Sequence, residues 1–330
     1  MSQLRLNPLN GRWVTIVAER RERPTDFAPR SPQVEADTGR ACPFCPGTEH
    51  ETPLWEKRDG EGNWQVQVVA NRYPAFFGDD SMSVRNLGPV HVQAAASGIH
   101  EVLILSPEHA ISWGQLDDQG ASQVMHALAE RMGEHARLPH IRYTQAIVNH
   151  GREAGASVAH PHGQLLGMPF VPGEIIEEER AFGRFDGGCI LCTTVEAELN
   201  DRSRVIYEDA NVIIVCPFWS GCPFEMLVIP RAHVGHLNDS DPDQLNSIGI
   251  GIKQSLADLE KLLGDVAYNL VFHSAPHQHH DSHYHWHAHI FPNLTTVAGF
   301  ERGTGVMINI TPPEDAAAAL QQLRVVSPAS

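Results

Sequence analysis

The spacing of apolar residues predicts that strands and helices alternate along most of the chain. Val124, Leu128 and Met132 are four residues apart, which is the spacing of one face of an α-helix. A longer apolar stripe with helical period comprises Leu245, Ile248, Ile252, Leu256, Leu259 and Leu263. It follows Asp241-Pro242, a pair typical of a helix N-terminus. Two amphipathic helices are therefore expected, each between short apolar runs of strand length.

The same order of elements occurs twice. Each copy has a Cys-x-x-Cys motif, a strand-like run that ends near a histidine, a helix, a second apolar run and a His-x-His motif. His160 lies 51 residues after His109, and His285 lies 52 residues after His233. We therefore predict an α+β fold in which one module of antiparallel sheet with flanking helices is duplicated. The predicted domains are residues 1–172 and 173–330.

The sequence also predicts the structure of two segments outside the repeat. The stretch between the copies, residues 172–188, is polar and acidic and is expected to be a linker. The alanine-rich segment after Ala316 is expected to form a final helix.

Composition limits the classes of function. Hydrophobic residues make up 42% and charged residues 19% of the chain, as in ordinary globular proteins. No apolar run reaches the roughly 20 residues of a membrane span, and the N-terminus lacks the apolar core of a signal peptide. We expect a cytoplasmic protein without a membrane partner. The net charge of −16 disfavours nucleic acid, although a cationic pocket near Arg20, Arg21 and Arg23 could hold a small phosphorylated substrate.

The cysteines and histidines predict two metal sites. Four of the six cysteines form Cys-x-x-Cys pairs, which in a cytosolic chain indicate metal or redox chemistry rather than structural disulfides. Two thiolates and two histidines complete a tetrahedral zinc shell. The two sets of candidate ligands are Cys42, Cys45, His109 and His160, and Cys189, Cys192, His233 and His285. The alternative is that the histidines are held in the core by hydrogen bonds, which leaves their matched positions unexplained.

The motif His160-Pro161-His162-Gly163-Gln164 predicts covalent chemistry at phosphorus. Side chains alternate on a strand, so His162 and Gln164 would share a face with the metal ligand His160. A neutral imidazole can attack phosphorus if a backbone carbonyl holds its other ring nitrogen protonated. Gln164 can donate to the phosphoryl oxygens, and the small polar loop up to Ser157 can cradle a phosphate. The alternative is a purely structural His162 within the sheet.

These motifs, together with Asn71-Arg72-Tyr73-Pro74, resemble those of the galactose-1-phosphate uridylyltransferase family. That family is a duplicated branch of the histidine-triad superfamily, so the resemblance implies a histidine-triad-like fold and a homodimer. It also implies that His162 is the catalytic nucleophile and that Gln164 binds the phosphate beside it. The residues that it implies for substrate binding are Arg23, Asn71, Asn149, Gly155 and Ser157, with Phe300 in the segment comparable to the sugar-binding C-terminal segment of the family.

Two further features follow from the resemblance. Residues 297–305 and the second Cys-x-x-Cys motif are more similar to the ADP-glucose phosphorylase branch, although that branch usually has serine at the positions of Pro161 and Gly163. Some family members also bind iron or zinc through a glutamate and three histidines. The corresponding residues are Glu178, His273, His287 and His289, which otherwise would pack within the sheet.

The predicted activity is a ping-pong nucleotidyl transfer. A nucleotide sugar (UDP-glucose, UDP-galactose or ADP-glucose) would pass its nucleoside monophosphate to His162, and a hexose 1-phosphate would collect it. Orthophosphate is the alternative acceptor, as in a nucleotide-sugar phosphorylase. A histidine-triad hydrolase usually has three alternating histidines, whereas the first copy has Gln164 in the third position. A zinc-stabilised binding protein is the alternative without enzyme activity.

Overall fold

A ten-stranded antiparallel sheet formed by both halves of the chain is the centre of the fold. The computed structural model describes residues 2–19, 42–48, 52–109, 111–279 and 283–325. In chain order, the strands are β1 (Gln3–Leu6), β2 (Trp13–Ile16), β3 (Trp55–Arg58), β4 (Trp64–Ala70), β5 (Arg85–Asn86), β6 (Val92–Gln93), β7 (Ile99–Ile104), β8 (Tyr143–His150), β9 (His162–Met168), β10 (Val205–Glu208), β11 (Val212–Val215), β12 (Met226–Pro230), β13 (Tyr268–His273), β14 (His287–Pro292) and β15 (Met307–Asn309). The helices are α1 (Asp118–Ala136), α2 (Gly173–Arg184), α3 (Ile190–Asp201), α4 (Pro242–Leu263), α5 (Gly299–Thr304) and α6 (Pro313–Val325).

Equivalent strands of the two copies occupy equivalent positions, counted from the two edges of the sheet towards its middle. It runs β10-β11-β12-β14-β13-β8-β9-β7-β4-β3, so two five-stranded halves meet where β13 pairs with β8. At this junction Asn269 of the second half is the register partner of Asn149 of the first half. A small sheet of β1, β2 and β15 joins the beginning of the chain to its end. The prediction of a duplicated α+β module is confirmed, while the domain boundary at residue 172 stays a prediction.

The two predicted amphipathic helices pack side by side on one face of the sheet. Val124, Leu128 and Met132 of α1 are buried in a core that includes the apolar stripe of α4. The side chain of Asp241 caps α4 by accepting a hydrogen bond from the backbone N–H of Asp243 at 2.9 Å. The spacing of apolar residues therefore predicted both helices correctly.

The predicted linker is wrong in its central part, because residues 173–184 form helix α2. Ile175, Glu178 and Phe182 are buried, and their spacing of three and four residues is that of one helix face. Acidic residues on the solvent face make the segment polar on average and conceal this narrow stripe. The helix lies on the sheet face opposite α1 and α4, where Phe182 packs with Leu191 of α3. The predicted final helix is α6, which begins before Ala316.

Within the described ranges, no helix combines the length and the apolar character that crossing a lipid bilayer would require.

Candidate active site and metal centres

The first predicted ligand set converges in space. Sγ of Cys45 lies 3.4 Å from Nδ1 of His109 and 3.7 Å from Nδ1 of His160. One ligand atom from each of these residues and from Cys42 lies within 4.8 Å of all the others. A tetrahedral zinc with ordinary Zn–S and Zn–N bonds holds sulfur and nitrogen about 3.6 Å apart. The group therefore has the donor set and the spacing of a closed tetrahedral site.

The second ligand set repeats this geometry. Nδ1 of His285 lies 3.5 Å from Sγ of Cys189 and 3.6 Å from Sγ of Cys192. Sγ of Cys192 also lies 3.5 Å from Nδ1 of His233. Cys189 is the residue directly before α3, so the helix presents both thiols from its first turn.

A backbone carbonyl orients one histidine in each set. Nε2 of His160 donates to the carbonyl of Ser106 at 2.8 Å, and Nε2 of His285 donates to that of Pro230 at 3.0 Å. Both carbonyls belong to residues three positions before the other histidine ligand, His109 or His233. Such bonds fix the tautomer that turns an unprotonated Nδ1 towards a metal.

A third group contains the residues that only the family resemblance had suggested. Nδ1 of His273 lies 2.9 Å from Oε1 of Glu178, and Nε2 of His287 lies 3.9 Å from its Oε2. Ligand atoms of these three residues and of His289 lie within 4.8 Å of one another. Nε2 of His287 is buried without a hydrogen-bond partner among the described residues, which is the state of a ligand atom that faces a cation.

The charges of this third group also suit a metal ion. Burial opposes ionisation of Glu178, but the attraction of His273 and the neighbouring histidines outweighs it and lowers the pKa to about 2. Burial lowers the pKa of His287 and of His289 to about 3. The carboxylate of Glu178 raises the pKa of His273, although burial opposes this. One carboxylate and two neutral imidazoles, the forms that coordinate metals, therefore coexist at neutral pH.

His162 is the first residue of β9, directly beyond the first metal group. Its Nδ1 donates to the carbonyl of His160 at 2.8 Å, so Nε2 carries the lone pair. Burial lowers the pKa of His162, although the bond to the His160 carbonyl opposes this, so the ring is neutral at pH 7. The ring of Phe44 packs against it with centroids 5.2 Å apart. The site thus holds a neutral imidazole with one nitrogen fixed and the other free to react.

Gln164 is connected to Asn71 through a histidine that sequence reasoning missed. Nε2 of His100 donates to Oε1 of Gln164 at 2.8 Å, and Nδ2 of Asn71 lies 3.1 Å from the same ring nitrogen. Oδ1 of Asn71 accepts from the backbone N–H of Tyr73 at 2.8 Å. No sequence motif points to His100; only the pairing of β7 with β9 brings it to Gln164.

Asn149 is also held by a residue that the sequence analysis did not identify. Nδ2 of Asn269 donates to Oδ1 of Asn149 at 2.7 Å and to the carbonyl of Ala154 at 2.8 Å. Oδ1 of Asn269 in turn accepts from Nδ2 of Asn293 at 2.9 Å. The second half of the chain therefore orients part of the site in the first half.

The predicted phosphate loop follows Asn149. Gly155 has a φ of +88°, a left-handed conformation that favours glycine, and it ends a short 3₁₀ turn, Arg152–Ala154. Ser157 is exposed beyond this turn. The β8–β9 register ends where Val148 pairs with Gly163, so the start of the loop at Asn149 is close in the sheet to the beginning of β9 at His162.

The three amide side chains present the same chemistry. The oxygens of Asn71, Asn149 and Gln164 all accept hydrogen bonds from protein donors, and none of their amide nitrogens donates to an oxygen of the described residues, which leaves N–H groups for a ligand. A ligand that matches them is rich in acceptor oxygens, as a phosphate ester is.

Two predicted substrate-binding residues are not joined to this group. Phe300 is 51% exposed on α5, and within the described part of the chain no ring contact or hydrogen bond joins its side chain to the site. Arg23 lies outside the described residues. The roles assigned to all of these residues stay predictions.

Comparison with known families covers almost the whole chain. The model of the galactose-1-phosphate uridyl transferase N-terminal domain matches residues 1–172, and that of its C-terminal domain matches residues 176–323.

Individual relatives carry two names. ADP-glucose phosphorylase of Arabidopsis thaliana is 33% identical over 97% of this chain and 93% of its own length. Galactose-1-phosphate uridylyltransferase of Thermotoga maritima is 26% identical over 98% of this chain and 99% of its own length. Among solved structures, an Arabidopsis thaliana ADP-glucose phosphorylase with bound ADP-glucose superposes with a TM-score of 0.82 at 31% identity, covering 98% of this chain and 99% of that one.

Proposed function

The chain belongs to the galactose-1-phosphate uridyl transferase family, and we propose that it transfers a nucleoside monophosphate from a nucleotide sugar to a hexose 1-phosphate through His162. One observation carries this proposal. The bond from Nδ1 of His162 to the His160 carbonyl makes Nε2 the nucleophilic nitrogen in a neutral ring. A histidine that served packing alone would not need an unprotonated Nε2 on the strand face that also carries Gln164.

The reaction divides into two displacements at the same phosphorus. Nε2 of His162 attacks the α-phosphorus of the nucleotide sugar, and the bond from this phosphorus to the bridging oxygen breaks. Sugar 1-phosphate leaves with that electron pair. A phosphate oxygen of the acceptor then attacks the α-phosphorus, and the N–P bond breaks. The proton stays on Nδ1 of His162, hydrogen-bonded to the carbonyl of His160, throughout. Neither leaving group, sugar 1-phosphate in the first step and the neutral imidazole in the second, needs to take up a proton.

The amide donors stabilise the transition state. Charge on the non-bridging oxygens increases as the phosphorus becomes five-coordinate, and fixed N–H donors lower that barrier without reorganisation. Gln164 is two residues from His162 on the same strand face, and Asn149 follows Val148, the register partner of Gly163. Asn71, Gly155 and Ser157 are assigned to the rest of the nucleotide and its phosphates.

Two structural zinc sites belong to this proposal. The cysteine and histidine sets fit zinc in donor type and spacing, and each is closed by four protein ligands. In the first site, a zinc on His160 would fix the residue whose carbonyl holds His162, directly before β9. The group of Glu178, His273, His287 and His289 would hold iron or zinc.

Orthophosphate as acceptor is the second candidate. It is favoured by the 33% identity with an ADP-glucose phosphorylase, against 26% for the uridylyltransferase described above. The segment of residues 297–305 supports it too, since Gly299 and Gly305 offer no side chain to a hexose. In this candidate His162 is still the nucleophile. Only the nucleobase of the nucleotide sugar and the acceptor that removes the nucleotide from His162 differ.

The assembly and its location are part of the same proposal. The exposed position of Phe300 on α5 is compatible with a sugar-binding segment that acts across a homodimer. Four-ligand thiolate sites need reduced cysteines, which favours the cytoplasm.

The experiment is an intact-mass measurement of the protein after incubation with UDP-glucose or ADP-glucose. A UMP or AMP adduct is expected in the native protein and none in His162→Asn, with unchanged metal content. The purified adduct is then mixed with galactose 1-phosphate, glucose 1-phosphate or orthophosphate, and the rate of mass loss identifies the acceptor. An adduct that persists in His162→Asn would refute the assignment of the nucleophile.

A further inference from the structure

His100 occupies a position between two parts of the site. It belongs to β7, where it is the register partner of Leu166, two residues beyond Gln164 on β9. Its backbone carbonyl accepts from the N–H of Asn71 at 2.9 Å. Its ring lies against the turn that follows Asn71, where the backbone N–H of Ala75 donates to Nδ1 at 3.0 Å.

This contact with Ala75 decides the tautomer of His100. Because Nδ1 accepts a hydrogen bond, the neutral ring carries its proton on Nε2. Nε2–H then donates to Oε1 of Gln164 at 2.8 Å, which requires the amide oxygen to face His100. The amide nitrogen of Gln164 has no acceptor among the described residues, so its two N–H groups are left for a ligand. The nearby Nδ2 of Asn71 cannot donate to a protonated Nε2, and its hydrogens are left in the same way.

The second copy of the module also has a polar residue at the equivalent position. Its equivalent of Gln164 is His289, since each is the third residue of its alternating motif. In the strand register Val102 pairs with Gln164 and Leu227 pairs with His289, so Glu225 corresponds to His100. Oε1 of Glu225 lies 3.6 Å from Nδ1 of His289. In both copies, the residue at this position approaches the third motif residue, but only His100 is within hydrogen-bond distance of it.

We propose that His100 is a positioning residue, which locks the Gln164 amide so that its N–H groups face the transferred phosphoryl group. This inference rests on the proposed nucleotidyl transfer. Without the Nε2–H of His100, the Gln164 amide can rotate by half a turn and present its oxygen to the phosphoryl oxygens. One donor then becomes a repulsive acceptor in a fraction of the molecules. The loss affects the transition state more than binding, because charge on the phosphoryl oxygens increases there.

The test measures the single-turnover rate of His162 adduct formation with UDP-glucose and with ADP-glucose. His100→Phe keeps a ring of similar size but removes both nitrogens, and we expect a rate about 10- to 100-fold lower with KM changed less than about threefold. His100→Gln can donate from the position of Nε2 and should recover most of the rate. His140→Ala, a half-buried histidine at the other end of β8, is the matched control and should react like the native protein.

A double-mutant cycle separates positioning from a structural role. In a Gln164→Leu background, His100→Phe should add less than about twofold, because the side chain through which it acts is absent. Independent multiplication of the two effects, or a His100→Phe rate within twofold of the native rate, would overturn the inference. If His100→Phe does not fold, His100→Ala carries the same expectation. Absence of an adduct in the native protein would instead overturn the proposed function, and this inference with it.

Discussion

Replacing Asn269 with aspartate should damage the active site from the other half of the chain. The change is nearly isosteric, but it replaces the Nδ2 donor that holds Oδ1 of Asn149 and the carbonyl of Ala154. The new carboxylate would face two oxygens at the 2.7 and 2.8 Å separations of the lost hydrogen bonds. Asn149 can relieve its repulsion by rotating its amide, which turns its oxygen towards the position of the substrate. The Ala154 carbonyl belongs to the backbone and cannot rotate away in this manner.

The size of each effect follows from these contacts. Loss of one preorganised donor at a developing negative charge costs about 100-fold in rate, or about 2.7 kcal/mol. An additional charge beside a bound phosphate ester lowers the rate further. Leaving the Ala154 carbonyl without its donor costs about 1–3 kcal/mol of folding stability. In a chain of this size, that corresponds to a fall in Tm of a few degrees at most.

The assay compares single-turnover adduct formation and thermal unfolding in the same preparations. Asn269→Asp should lose at least about 100-fold in adduct rate, and Asn269→Ser, which can still donate one hydrogen bond, should lose less. Asn86→Asp adds the same charge at an exposed position on β5 and should leave the rate unchanged. A rate within twofold of native in Asn269→Asp, together with a clear fall in Tm, would show that Asn269 acts on stability alone and would refute the reasoning.

Three further predictions concern metal content, acid stability and the acceptor. Cys42→Ala and Cys189→Ala should each remove one equivalent of zinc and lower Tm, because structural zinc carries folding energy; zinc lost only from Cys42→Ala would contradict the second site. Burial opposes ionisation of Glu101, but the hydrogen bonds and charges of His135 and Arg131 outweigh burial and lower the pKa of this carboxyl. The ionised Glu101 therefore stabilises the fold fully above the ordinary carboxyl pKa, and this stabilisation is lost as pH falls through the pKa of the folded state. Glu101→Gln should therefore lose about 3 kcal/mol in urea unfolding at pH 7 and less in acid; equal losses at both would contradict this. Glucose 1-phosphate and galactose 1-phosphate should discharge the adduct within about tenfold of each other, about 1.4 kcal/mol, whereas a thousandfold preference would require a selective sugar pocket.

Sequence periodicity and repetition were sufficient for the elements and for the metal groups. Apolar side chains at helical spacing predicted α1 and α4, and matched intervals between histidines predicted which ones meet the Cys-x-x-Cys motifs. These signals are local or repeated, so one chain contains enough information to recognise them. The α2 segment failed because a narrow buried stripe within an acidic run has almost the composition of a linker.

The residues that orient the site were not predictable in this way. His100 and Asn269 lie 64 and 120 residues from the amides that they hold, and neither belongs to a motif. Their contacts depend on strand register, in which a shift of one residue would turn each side chain to the opposite face. Register comes from the complete sheet, so these contacts became visible only once β7, β8, β9 and β13 were paired.

The two copies indicate how one strand motif can serve either covalent chemistry or metal binding. His162 and His287 have the same local structure, since each donates Nδ1–H to the carbonyl two residues before it. Their cross-strand neighbours differ: the register places His273 opposite His287, whereas the β8–β9 register ends with Val148 opposite Gly163, so that Asn149 is the next residue on the side of His162. The third motif residue also differs between the copies: it is an amide, Gln164, in the first and an imidazole, His289, in the second. Under the proposed function, amide N–H groups would leave the free Nε2 to an anionic substrate, whereas imidazoles joined by a carboxylate from α2 would direct it to a cation. On this proposal, the neighbours of the central histidine set the chemistry of each copy, and exchanging the cross-strand residue alone should impair one function without creating the other.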